Sequence, residues 1–74
     1  MNTQIEAYIS RLTENAIELA SQGKWEDARH ESTLGVRAAI AHGLTDYKIE
    51  LFELRHCIDK RKLTDRWQPV GLHK

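Results

Sequence analysis

Apolar residues return every three or four positions in three successive segments of this chain, and a glycine closes each of the first two. A 3.6-residue period marks an amphipathic helix, whereas a half-buried strand needs strict alternation. In the first segment, Ile5, Tyr8, Ile9, Leu12, Ala16, Leu19 and Ala20 form one stripe. They predict a helix from Gln4 to about Gln22, with Arg11, Glu14, Asn15 and Glu18 on the wet side. Thr3, with Glu6 three residues on, has the spacing of a capping box. Gly23 is suited to the left-handed position that follows a helix.

The second helix is expected from Lys24 or Trp25 to His42, with Glu26 and Asp27 favourable in its first turn. Its inner face would be Trp25, Ala28, Ser32, Gly35, Val36 and Ala39. Most of these are small, so the first helix could approach closely. That contact would offset the roughly 1 kcal/mol that Gly35 costs in helix propensity. Leu34 is expected to point away from the core. Gly43 ends this helix, and Thr45 could cap the next.

The third segment, Asp46 to Lys62, carries two apolar faces. Tyr47, Leu51, Leu54 and Ile58 fall on one side at about 100° per residue. Ile49, Phe52 and Leu63 fall roughly opposite. One stripe can close a small core, and the other must meet the C-terminal tail, a second copy or a partner protein. Past Leu63 the period stops, and Pro69 and Gly71 argue against further helix. The expectation is an all-α fold: an antiparallel helical hairpin plus a third helix, forming a three-helix bundle over residues 1–63. Residues 64–74 would be an irregular C-terminal tail, with Trp67 and Leu72 either docked on the bundle or free as a recognition arm.

Seventy-four residues make one domain that hides only about 60% of its unfolded surface, so its stability is marginal without a staple. Cys57 is the only cysteine, which excludes an internal disulfide and suits a reducing compartment. It reads as a small half-buried apolar residue. Oligomerisation remains as the staple, and a homodimer through the third helix is expected. The first six residues have neither the basic nor the apolar region of a signal peptide. No run nears the roughly 18 apolar residues of a membrane span. The chain is therefore expected to be cytoplasmic and free of membranes.

Net charge is zero but unevenly spread. Residues 1–54 hold five basic and nine acidic side chains, or −4, and residues 55–74 hold six and two, or +4. Arg55, Lys60, Arg61, Lys62 and Arg66 cluster where cations complement a helix C-terminus.

Two family resemblances follow from particular residues. Leu19-Ala-Ser-Gln-Gly-Lys-Trp-Glu-Asp-Ala28 resembles the turn of a tetratricopeptide helical hairpin, with Gly23 as turn glycine and Trp25 and Ala28 packing the second helix. It covers about the first 40 residues, with Ile40 where that repeat closes on proline, and no second repeat follows. This likeness implies an antiparallel hairpin. Ala39-Ile-Ala-His-Gly43-Leu44-Thr-Asp-Tyr-Lys-Ile49-Glu-Leu-Phe52 is similar to a helix-turn-helix motif. That likeness implies burial of Ile49 and Phe52, exposure of Tyr47, Leu51 and Leu54, and a dimeric DNA-binding regulator as the alternative function. Asp46, Glu50 and Glu53 would then confront phosphate, and no arginine would reach a base edge.

Chemistry is sparse. Asp27–His30 and Glu53–His56 have carboxylate and imidazole three residues apart, but a helical metal site needs further inward carboxylates. Arg55, His56 and Lys60 lie near Cys57, with no residue evidently placed to orient the histidine. The four glycines are scattered and make no phosphate loop. No catalytic residue, metal ligand or cofactor is expected. The expected role is a non-enzymatic protein-interaction module, of the kind found among bacterial and phage accessory proteins that regulate or inhibit a larger partner. Its interface would comprise Ile49, Phe52, Arg55, His56, Leu63, Arg66 and Trp67, since arginine and large aromatics dominate binding hot spots.

Overall fold

The computed structural model describes residues 3–67. Three helices follow one another: α1 (Thr3–Ser21), α2 (Trp25–Ala41) and α3 (Thr45–Asp59), then one 3-10 turn at Asp65–Trp67. The protein is an all-α three-helix bundle. Helix α2 lies in the middle, packed along both neighbours, while α1 and α3 touch each other little. The bundle measures 33 × 26 × 17 Å.

All three helices end alike. After α1, Lys24 N–H donates to Leu19 C=O and Gly23 N–H to Ala20 C=O. After α2, Leu44 N–H donates to Ala39 C=O and Gly43 N–H to Ile40 C=O. After α3, Lys62 N–H donates to Cys57 C=O and Arg61 N–H to Ile58 C=O. Each pair is a Schellman motif, which satisfies carbonyls that the helix leaves open. It requires φ > 0 at its hinge: Gly23 has φ 79° and Gly43 φ 68°. The third hinge is Arg61 at φ 55°, a conformation that costs an L-residue roughly 1–2 kcal/mol.

Helix α2 starts at Trp25, as expected, while α1 and α3 each begin one residue before the expected Gln4 and Asp46. Lys24 and Leu44 each finish one helix and directly precede the next, and neither makes a side-chain cap bond. Thr45 is the first residue of α3, one position too late to cap it, and Thr3 is likewise already inside α1. Leu44 occupies the capping position because the preceding motif favours an apolar residue there, and it packs against the core.

The core joins Ile9, Leu12, Ala16 and Ala20 of α1, Ala28, Val36 and Ala39 of α2, and Leu51, Leu54 and Ile58 of α3. Ser32 is fully buried among them and donates to Arg29 C=O at 2.8 Å, so its hydroxyl is satisfied inside its own helix. The expected inner face of α2 is thus the observed one, with Trp25 half-buried at its edge. Three local expectations change. Tyr8 lies outside the core, because α1 packs along α2 and makes little contact with α3. Leu34 is half-buried instead of pointing away. Gly35 makes room for α3, not for α1: a Cβ there would sit 2.9 Å from Leu51 Cδ1.

Helix α3 stops at Asp59, three residues before the expected Lys62, and the reversal at Arg61 carries Leu63 back onto the core. Trp67 follows it and is buried, so the packed structure runs past residue 63 into the segment expected to be an irregular tail. The expectations for Pro69, Gly71 and Leu72 lie outside the described residues.

Candidate functional site

Helix α3 has one face inside and one outside. The inner stripe is Leu51, Leu54 and Ile58, all buried, with Tyr47 half-buried at its start. Tyr47 donates its hydroxyl to Glu6 Oε1 at 3.1 Å, which ties the start of α3 to the start of α1. That bond to a carboxylate, and the partial loss of water, raise the phenol's pKa above its usual 10.0. On the outer face, Ile49 is 52% and Phe52 46% exposed.

This is the burial pattern of a bundle hairpin. The helix-turn-helix resemblance implied the reverse, with Ile49 and Phe52 inside and Leu51 and Leu54 facing a groove. Its burial assignment does not hold, because Gly35 of α2 admits Leu51 and sets the rotation of α3.

Ile49, Phe52, Glu53, His56, Cys57 and Trp67 line an open, mainly apolar groove of about 470 Å³. Four of the seven expected interface residues therefore meet: Ile49, Phe52, His56 and Trp67. Trp67, 5% exposed, is not a free recognition arm. It is docked by the Asp65–Trp67 turn and forms a fixed side of the groove. Leu63 has left the outer stripe for the core, because the helix on which it was placed ends four residues earlier.

Arg66 stands at the rim. Its guanidinium lies 4.7 Å from the Trp67 ring centroid, donates to Glu53 Oε1 at 2.8 Å and approaches Glu50 Oε2 at 3.7 Å. These groups are about half exposed, so the pairs order the rim and add little stability. They also engage two of the three acidic side chains that α3 carries before its last turn. Among the described residues no group of three or more His, Cys, Asp or Glu could hold a metal ion.

Arg55 is not part of this groove. It lines a separate polar cleft of about 550 Å³ between the start of α2 and the end of α3, with Trp25, His30, Arg61 and the Arg29–Asp59 pair. Sequence reasoning missed this cleft. Helix angle could not reveal it: Arg55 lies three residues from Phe52, a neighbouring position on the helix surface, and only the packing of α2 beside α3 assigns it to the cleft. Cys57 was likewise not included in the interface, although it lines the groove as a half-buried thiol.

Fold and surface define a small three-helix domain whose described residues leave Ile49 and Phe52 of α3 exposed side by side, with Tyr8 of α1 and Ile40 of α2 exposed elsewhere. Comparison with protein-family models, curated proteins and solved structures finds no match to this chain. No helix among the described residues is long and apolar enough to cross a membrane.

Proposed function

We propose that this protein is a non-enzymatic interaction module that docks on another protein chain through the outer face of α3. It acts as a small accessory protein that regulates or inhibits the assembly it joins. The observation that supports this reading is the exposure of Ile49 and Phe52 side by side on an ordered helix, beside the fixed indole of Trp67. Singly exposed apolar residues are ordinary, but an aromatic–aliphatic pair lining a groove with a polar rim is the composition of an interface centre. The reading puts the protein in the cytoplasm, where a lone half-buried thiol stays reduced. DNA binding is the weaker alternative: α3 offers Asp46, Glu50 and Glu53 along its exposed surface, where phosphate contact needs cations.

Replacing Phe52 with a photo-crosslinking phenylalanine analogue, in the cells that normally make the protein, tests the reading. Irradiation is expected to join position 52 to another polypeptide, a second copy or a different chain. The same probe at Glu14, on the wet side of α1, is the control. Equal adduct yield at both positions, or none at 52, would overturn the assignment of this face.

A further inference from the structure

The occupant of the outer face of α3 can be argued from charge and spacing. We infer that it is a second copy of the same chain, with the two α3 helices packed antiparallel about a dyad near Phe52; this rests on the docking role proposed for that face. On the side of α3 away from the buried stripe lie Thr45, Ile49, Phe52 and His56, all exposed. They follow one another at four, three and four positions, the spacing of a helix–helix seam. A dyad demands a self-complementary surface, in which each residue meets a different residue of its mate.

On one flank of the seam the pair Asp46 and Lys60 favours a single orientation, while Lys48 and Arg55 on the other flank are both positive. Asp46 lies at the seam's N-terminal end and Lys60 at its C-terminal end. Neither side chain has a hydrogen-bond or ion-pair partner among the described residues. Antiparallel pairing sets Asp46 against the mate's Lys60 twice, and the N-terminal end of one helix dipole against the C-terminal end of the other. Parallel pairing would set like charge on like at both ends.

The remaining seam-side carboxylates are already engaged within the protomer. Arg66 holds Glu53, which lies closest to the dyad, and Arg29 Nε holds Asp59 Oδ1 at 3.1 Å. Two copies of Glu53 therefore do not face each other bare. The apolar centre of the seam is Ile49 and Phe52, with Trp67 supporting its flank. Pairing two such ridges covers the greasy surface that each protomer leaves wet and supplies the staple that a 74-residue chain otherwise lacks.

Light scattering coupled to size exclusion tests the pairing. At about 100 μM protomer, well above a Kd of about 1 μM, the mass is expected to be twice 8.6 kDa. Phe52→Glu is expected to give a monomer with unchanged helical circular dichroism, and Ile49→Ser to weaken association by roughly tenfold. Asp46→Lys or Lys60→Glu alone is expected to weaken it about tenfold, since each pair occurs twice, and the double variant to restore it. A monomeric wild type, a dimer that survives Phe52→Glu, or a double variant no better than the singles would overturn the inference. A monomeric wild type whose position 52 still crosslinks to a different protein sinks the self-pairing and leaves the docking role intact. The absence of both sinks the two together.

Discussion

The two faces of α3 are made of the same kinds of residue and meet opposite fates. Leu51, Leu54 and Ile58 are sealed in the core, chiefly against α2, while Ile49 and Phe52, on the same fifteen-residue helix, lie half in water. The difference does not come from hydrophobicity. It comes from the small residues of α2, above all Gly35, which let α3 approach on one side only. Among the described residues no other helix packs over the opposite side, where Ile49 and Phe52 stay about half exposed. Apolar content therefore says that a helix has something to bury, and its neighbours decide which part is buried within the protomer.

The inner face should answer to truncation most strongly. Leu54→Ala, at a fully buried site, is expected to cost about 2–5 kcal/mol in urea unfolding, a large share of a small domain's stability. A loss below about 0.5 kcal/mol, the size of a neutral surface change, would break the distinction between the faces.

Gly35→Ala probes what sets that distinction. The substitution gains about 1 kcal/mol of helix propensity. Its Cβ, however, meets Leu51 Cδ1 at 2.9 Å, and Leu51 is itself sealed in the core. Overpacking costs about 1–3 kcal/mol, so a net destabilisation of up to about 2 kcal/mol is expected from the unfolding midpoint. A stabilised variant would show that α3 slides freely over α2.

Arg61→Gly sharpens the comparison from the other side, because the reversal at this residue removes Leu63 from the outer stripe. Relief of its left-handed strain is expected to stabilise the protein by up to about 1 kcal/mol, read as a raised thermal midpoint. A destabilised variant would mean that the Arg61 side chain, in the cleft it shares with Trp25 and Arg55, contributes more than the strain costs.

Phe52→Ser should have the smallest effect of the four on the isolated protomer. At dilutions where the chain is monomeric, its stability is expected to stay within about 0.5 kcal/mol of wild type. A loss comparable to that of Leu54→Ala would place Phe52 in the core and remove the basis for a docking face.

The helices themselves were legible in the sequence, because their period repeats over four or five turns and Gly23 and Gly43 punctuate it. The turns were legible only in part. Thr45 has the chemistry of a cap, yet the Schellman bond from Leu44 N–H to Ala39 C=O puts Leu44 in the capping position. The end of α3 was overrun because no glycine marks it: Arg61 fills the left-handed position that glycine fills twice before. Of the site, Ile49, Phe52 and His56 could be found from their angle on the helix. The docking of Trp67 and the separation of Arg55 could not, since each depends on where another element lies.

Local chemistry alone determined three helices, their inner stripes and the presence of surplus apolar surface on the third, because periodicity and turn residues act over a few neighbouring positions. Tertiary structure alone decided that Leu63 and Trp67 close the core while Ile49 and Phe52 stay outside it. That choice depends on how closely α2 admits α3 and where the chain reverses after Asp59, and both are set by contacts between distant elements.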